Sequence, residues 1–229
     1  MKNKKIIVVS LGGSLIIPYD VNYPYLKKFK RIILRHLNNY KIVIVCGGGG
    51  LARKYIRAIK KEGGDIHHQS LAGINATRAN ARFLSYFFGF EPRWGIPHKM
   101  RVLKKYLRKR SLVICGGLEY KPDQTSDSTS ANIAAKLKGE FVNLTDVPGL
   151  YNKNPKKNKN AKLIPKISWE DFDKIAEKLK YEPGQHFVLD QNASKIIKKE
   201  KIKTYIMKSP EALDKFLRGK KFTGTVIED

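Results

Sequence analysis

The sequence predicts an α/β protein, a three-layer αβα sandwich around a mostly parallel central sheet, on three observations. Short β-branched apolar runs alternate along the chain with segments of helical periodicity, the pattern of a parallel sheet covered on both faces. Three of these runs drive straight into glycine: Ile6 to Leu11 into Gly12-Gly13-Ser14, Ile42 to Cys46 into Gly47-Gly48-Gly49-Gly50, and Leu112 to Cys115 into Gly116-Gly117. Glycine after a strand lets the backbone bend sharply and bring N–H groups close to an anion. In open α/β sheets ligands sit outside the carboxyl ends of the strands, so three such turns converge on one crevice. Three turns provide for more phosphate than one mononucleotide carries.

Each element has its own justification. The first strand and its turn lead through a Pro- and Tyr-containing segment to a helix over 25–37, where Leu26, Phe29, Ile33 and Leu37 share one face. The second strand leads after Gly50 into a helix that carries Arg53 in its first turn and directs Tyr55, Ile56 and Ile59 at the core, with Gly63-Gly64 as its stop. Arg53 therefore sits near a helix N-terminus, where dipole and guanidinium both favour an anion. His67-His68 reads as a turn, 74–88 as a helix starting near Gly73, and 98–108 as a basic helix, the two helices offering partner surface. The aromatic cluster Phe83, Tyr86, Phe87 and Phe88 reads as core or oligomer interface.

After the third strand a loop over 116–127 enters a helix of small residues over 128–137. Thr125, Ser126, Ser128 and Thr129 crowd its start; a cap needs one hydroxyl, and the surplus reads as an anion pocket. A strand over 141–144 ends in Thr145, a polar Pro- and Lys-rich loop spans 152–162, and a helix over 168–179 is capped by Ser168 with Asp171 three residues on. Gly184, a helix over 191–199, a strand over 203–207, a helix after Pro210 and a strand over 225–227 complete the chain. A soft lobe boundary falls near Phe141.

At 229 residues and 41% hydrophobic content the chain makes a single domain, 1–229, with a sizeable core. Cys46 and Cys115 lie inside apolar strands without metal-ligand spacing and read as core thiols in a reducing compartment. No apolar run approaches the roughly 18 residues of a membrane span, and the lysine-rich start runs into a strand, so a cytoplasmic protein without membrane contact is expected. Forty-six Lys plus Arg against twenty Asp plus Glu give +26, which attracts polyanions. The lysines are spread over nearly every polar segment with no recognition motif, so a nucleic-acid partner is open but not favoured.

Gly47-x-Gly49-x-x-Ala52 meets the dinucleotide fingerprint but explains neither the Gly12-Gly13-Ser14 turn nor the Thr125 loop. There is no P-loop run. His36, His67, His68, His98 and His186 show no ligand spacing with carboxylates, so no metal ligands are assigned to side chains. No nucleophile-elbow motif is present. What remains is phosphoryl chemistry by positioning and charge, using backbone N–H groups, hydroxyls, Mg²⁺ and Lys or Arg.

Six blocks in chain order then resemble the amino acid kinase superfamily, and within it the archaeal-type uridylate (UMP) kinases. They are Ser10-Leu-Gly-Gly-Ser-Leu-Ile-Ile-Pro18, Gly47-Gly-Gly-x-Leu-Ala-Arg-Lys-Tyr-Ile56, Gly73-Ile-x-x-Thr-Arg-x-Asn-Ala81, Pro122-x-x-Thr-Ser-Asp127, Leu144-Thr-Asp-Val-x-Gly-Leu-Tyr151 and Phe222-Thr-Gly-Thr-Val-Ile227. The resemblance implies the amino acid kinase fold, transfer of the γ-phosphoryl of ATP to UMP with Mg²⁺, and a homohexamer. It implies an acceptor-side lobe of about 1–140 and an ATP-side lobe of about 141–229. By position, Gly12, Gly13 and Ser14 would line the ATP phosphates, Gly48 the UMP phosphate, and Gly49 and Arg53 the reacting groups. Lys121, Thr125 and Ser126 would bind UMP, Asp127 would orient basic groups near the transferring phosphoryl, and Thr145, Tyr151 and Asn154 would form the adenine and ribose pocket.

Departures from the pattern accompany the resemblance. Ser10 stands where many superfamily members carry a transition-state lysine, so the charge must come from Arg53, Lys162, Lys195 or the metal; Lys195 is the catalytic candidate. Ser70 stands where an aspartate would meet the UMP ribose, Pro148 and Asn154 replace aspartates, Leu118 replaces a threonine, and Glu119-Tyr120 lengthen the acceptor loop. Two rival readings follow: the same fold with another small phosphate or carboxylate acceptor, motivated by Ser70 and Leu118, or a non-catalytic nucleotide or RNA binder, motivated by +26 and the missing lysine.

Overall fold

The computed structural model describes residues 4–229 apart from 94, 123, 154, 156–157 and 179–187. Its centre is a seven-stranded sheet with β1 (Lys5–Leu11), β2 (Tyr40–Cys46), β3 (Leu112–Cys115), β4 (Glu140–Leu144), β5 (Lys166–Ile167), β6 (Thr204–Met207) and β7 (Thr225–Ile227) in the order β3-β2-β1-β4-β6-β7-β5. The first five strands of that order are parallel; β7 runs antiparallel to β6 and parallel to β5. Strand order reverses at β1, with β2 on one flank and β4 on the other. That reversal opens a crevice at the carboxyl ends of β1, β2 and β4, where doubly wound sheets take ligands.

The strands are buried on both faces, and their side chains alternate between two cores. Ile7, Val9 and Leu11 of β1, Ile42 and Ile44 of β2 and Val142 and Leu144 of β4 face one helix layer. Val8, Val43, Val45 and Phe141 face the other. The first layer holds α2 (Tyr23–His36), α4 (Ile66–Phe87) and α9 (Pro210–Leu217); Leu26, Phe29 and Ile33 of α2 are fully buried in it. The second holds α5 (Met100–Lys109), α6 (Ser126–Leu137), α7 (Trp169–Lys178) and α8 (Gln191–Lys199). Cys46 and Cys115 are buried free thiols, one in each core.

Helix α3 (Gly49–Lys61) corrects the sequence reading. It contributes no buried residue, and Tyr55 is largely in solvent. The reason is that α3 packs on α4 rather than on the sheet, with Ile56 against the bare backbone at Gly73. Helix α4 likewise starts eight residues before the expected position of 74. Asp65 caps it by accepting from the His68 N–H at 2.7 Å, so His67 and His68 lie in its first turn rather than in a loop. Phe88 joins the core, as one of the two expectations for the aromatic cluster had it, while Tyr86 is exposed.

Among the remaining differences, α6 begins at Ser126 instead of 128 and α5 at Met100 instead of 98. The four-residue α1 (Gly13–Ile16) and the two-residue β5 are too short for periodicity to reveal. Ser168 caps α7 as expected, donating to Asp171 Oδ2 at 2.9 Å and accepting from its N–H at 3.0 Å. Leu179, Gly184 and His186 lie outside the described residues. β4 joins β1 to β6 directly, so the sheet runs unbroken past residue 141.

Phe141, fully buried between the central sheet and the second helix layer, gives a test of this packing. Phe141→Ala is expected to cost roughly 3–5 kcal/mol in urea unfolding, read as a lowered midpoint with an unchanged m-value.

Candidate active site

Two glycine turns meet at the point where strand order reverses. A Cβ on Gly13 would lie 2.0 Å from the Gly49 nitrogen, and one on Gly47 would lie 2.6 Å from the Gly13 nitrogen. Gly49 also holds φ +57°, and a Cβ there would come within 2.5 Å of the Gly13 carbonyl oxygen. The end of β1 and the entry to α3 thus touch backbone to backbone, a packing that side chains prohibit. On the other flank Gly12 donates its N–H to the Leu144 carbonyl at 3.0 Å and abuts Thr145. Gly12, Gly13, Ser14, Gly48, Gly49 and Thr145, named from the sequence, are therefore neighbours.

Helix α4 fastens these turns from behind, which the sequence reading missed in treating it as partner surface. Buried Asn80 donates to the Gly47 carbonyl at 2.7 Å and to the Gly48 carbonyl at 3.3 Å. Thr77 accepts the Gly117 N–H at 2.7 Å, and the Arg78 guanidinium donates to the Gly117 and Leu118 carbonyls at 3.0 and 2.6 Å. Burial pulls Arg78 below its usual pKa, and burial together with Arg78 and Arg82 holds His98 below its own. The Thr-Arg-x-Asn spacing was the available signal, since it places three polar side chains along one stretch of helix.

The acceptor loop meets the start of α4 where the Tyr120 ring stands edge-on to His67, with centroids 4.5 Å apart. Ser70 lies one turn further along α4. Its hydroxyl donates to the Ile66 carbonyl at 2.8 Å, which leaves only its acceptor lone pairs uncommitted by that bond. Lys121 is exposed at the mouth of the loop.

At the start of α6 the expected surplus of hydroxyls is spent internally. Thr125 caps the helix, accepting the Asp127 and Ser128 N–H groups at 3.1 Å each, and Ser128 accepts the Thr125 N–H at 2.9 Å in a reciprocal capping box. Thr129 and Ser130 donate back to the carbonyls of Thr125 and Ser126 at 2.7 Å. The anion-pocket reading of Ser128 and Thr129 is thereby corrected: both are buried and bonded to their own helix.

Asp127 is the electrostatic centre of the site. Ser10, two residues before Gly12 on β1, donates to its Oδ1 at 2.8 Å. The side chain is half-buried; loss of hydration and the negative charge of Asp190, at the start of α8, push its pKa up to about 7, against the opposing pull of Ser10. Ser10 thus stands in the lysine position as a hydrogen-bond donor without charge.

The cations named from the sequence are less tightly gathered. Arg53 is exposed on the first turns of α3 beside the interlocked glycines, and Lys195 and Lys162 are exposed on α8 and on the polar loop. Tyr151 is held on the β7 side by an antiparallel bridge to Leu163, while Leu150 donates its N–H to Thr225 Oγ1 at 2.8 Å. Asn154 lies outside the described residues.

The sequence model of the amino acid kinase family matches residues 5–208. The chain is 32% identical over 225 residues to the uridylate kinase of Thermococcus kodakarensis, covering 97% of this chain and 99% of that one. It is similar to the crystal structure of uridylate kinase from Archaeoglobus fulgidus at a TM-score of 0.83 and 31% identity, over 96% of this chain and 99% of that one. The structure of isopentenyl phosphate kinase shares the fold at a TM-score of 0.69 and 18% identity, over 97% and 100% of the two chains.

Two tests follow from this geometry. Asn80→Ala leaves the Gly47 carbonyl unpaired in the interior, at an expected cost of about 1–3 kcal/mol in thermal or urea unfolding. For Asp127, the folded chain keeps its proton to higher pH than the unfolded chain, so its contribution to stability falls as pH rises from about 4 to about 7. Asp127→Asn should therefore raise the melting temperature at pH 8 relative to the native chain, with the difference vanishing near pH 4.

Proposed function

This chain belongs to the amino acid kinase family, and on that premise we propose that it is a uridylate kinase, transferring the γ-phosphoryl group of ATP to UMP to give ADP and UDP. The observation that carries the reading is the pair of interlocked glycine turns at the carboxyl ends of β1 and β2, with Asp127 bonded to Ser10 beside them. No Cβ fits where Gly13, Gly47 and Gly49 meet. Backbone therefore lines this end of the crevice, and the early N–H groups of α3, which have no helical partner, lie at its edge.

The donor set suits Mg·ATP. Glycine backbone and a helix start present partial positive charge to polyphosphate, and among the described residues no three His, Cys, Asp or Glu gather. The nucleotide phosphates would then supply most of the metal's oxygen ligands. The ion, when bound, would neutralise charge on the transferring phosphates. Gly12, Gly13 and Ser14 hold the ATP phosphates, Gly48 the UMP phosphate, and Gly49 and Arg53 the reacting groups between them. Catalysis is positioning with charge stabilisation: Arg53 reaches in from the exposed start of α3, and Asp127 orients cations arriving with the substrates. Lys195 and Lys162 are the remaining candidates for that charge. Thr145, Tyr151 and Asn154 receive the adenosine, and Lys121, Ser70, Thr125 and Ser126 contact UMP.

In this reading the acceptor side is built from about residues 1–140 and the donor side from about 141–229, on one continuous sheet. A homohexamer is proposed as well, supported by the apolar side chains Tyr55, Ile66 and Leu71 that α3 and α4 leave exposed. A cytoplasmic site of action is supported by the buried free thiols. No helix among the described residues is long and apolar enough to cross a membrane. The alternative acceptor keeps one specific support, the Ser70 hydroxyl already committed to its own helix.

Mg·ATP offered with UMP, CMP, dUMP, carbamate, acetylglutamate and isopentenyl phosphate is expected to release ADP with UMP alone, confirmed as UDP by phosphorus NMR. Turnover confined to another compound would replace the acceptor. No turnover, with RNA affinity that survives saturating ATP and UMP, would replace catalysis by binding. Arg53→Ala is expected to lower kcat by on the order of a hundredfold, since a charge-assisted partner of the transferring group is lost; unchanged turnover would remove Arg53 from the mechanism.

A further inference from the structure

Asp190 stands immediately before α8 and uses its two carboxylate oxygens for two tasks. Oδ1 accepts the Ala193 N–H at 2.9 Å, capping α8. Oδ2 accepts the Thr125 hydroxyl in a short hydrogen bond. The same Thr125 oxygen accepts the backbone N–H of Asp127 at 3.1 Å. A continuous path therefore runs from Asp190 through Thr125 to the Asp127 backbone, across 65 residues of chain between Thr125 and Asp190.

We propose that Asp190 is a positioning residue of the phosphoryl-transfer site: with one carboxylate it caps α8 and holds Thr125, and so fixes the start of α6, with Asp127 on it, against the donor side of the sheet. The inference rests on the kinase reading for its catalytic consequence, while the linkage itself is a property of the free protein. A hydroxyl that donates to a carboxylate becomes a stronger acceptor, so the Thr125 cap is reinforced by the charge behind it.

Asp190 also faces the Asp127 carboxyl as a like charge. The other elements packed on α6 are α8, β1, β4 and β2. From β1 and β4, Lys5 and Glu140 pair with one another where those strands begin, at the end opposite Asp127. From β2, Lys41 donates to the Leu107 carbonyl at 2.8 Å. On α8, Lys198 is bonded to Glu170 and Asp173 at 2.9 and 3.1 Å, and Lys195 and Lys199 point to solvent. Asp127 is thus held at two points, its N–H by Thr125 and its carboxyl by Ser10, and Asp190 stands behind the first of them.

The experiment uses the full chain with Asp190→Asn and Asp190→Ala. Asparagine keeps one oxygen for the α8 cap but presents an NH₂ group that cannot accept the Thr125 hydroxyl, so it breaks the link to α6 and spares the cap. Without substrate, amide hydrogen exchange at Asp127 and Ser128, whose N–H groups Thr125 accepts, is expected to quicken on the order of tenfold in both variants while the chain stays folded. With Mg·ATP and UMP, kcat should fall on the order of tenfold to a hundredfold with KM for both substrates little changed. Native exchange at the start of α6 in a folded Asp190→Asn overturns the proposal, as does native kcat in that variant. If Asp190→Ala does not fold, Asp190→Asn decides. If the native chain itself shows no UMP turnover, the kinase reading fails, and hydrogen exchange still decides whether Asp190 holds the start of α6.

Discussion

The backbone contact between Gly13 and the Gly47 to Gly49 turn is the constraint on which the rest of the site depends. Two parallel strands end side by side, and the chain after each must turn away without a side chain filling the gap. With no Cβ at these positions, peptide groups approach to distances that any other residue would forbid. Everything that carries chemistry is measured from this contact. Ser10 precedes it on β1, Arg53 follows it on α3, Thr145 adjoins it through Gly12, and Asn80 of α4 holds its carbonyls from behind. Removing that clamp leaves buried carbonyls unpaired, which is why a helix far along the chain is committed to the turn.

Around this backbone contact the polar side chains do two kinds of work. Thr77, Arg78, Asn80, Thr125 and Ser128 satisfy the N–H and carbonyl groups that turns and helix ends leave open. Asp127 is different, because its surroundings supply one neutral donor and a second carboxylate in place of a cation. Burial of an acid beside a second carboxylate disfavours its ionised form, a cost to folding that is fully present above about neutral pH.

The excess positive charge follows other rules. Most ion pairs among the described residues are exposed, such as Lys28 with Glu211 and Lys99 with Glu119, and contribute little to stability individually. One contact ties helix to helix, His36 of α2 meeting Asp214 of α9 at 2.9 Å, while Arg218 at the end of α9 meets the same carboxylate at 2.9 Å; against the opposing effect of burial, the two keep Asp214 below the usual carboxylate range. With 46 cationic residues on a chain of this size, a long-range field that concentrates nucleotide anions near the protein is a general consequence, separate from any specific contact.

By itself the sequence determined the layered α/β class, nearly every strand, the glycine turns and the nucleotide-handling blocks. These are local properties: alternation of apolar runs with helical periodicity, and glycine where the backbone must bend or crowd. Tertiary structure alone decided which polar residues are bonded into the scaffold. Asn80 looked like part of a partner surface and Asp190 drew no reading at all, because hydrogen-bond partners 33 and 65 residues away leave no mark in spacing. Ser128 and Thr129 looked like anion donors, because composition does not show that their hydroxyls turn back onto Thr125. Helix α3 misled for the same reason, since its amphipathic face packs on α4 instead of the sheet. Periodicity records that a face is apolar; only the fold chooses what covers it, and only the fold brings Ser10 of β1 and Asp190 of α8 to Asp127, where they shift its pKa.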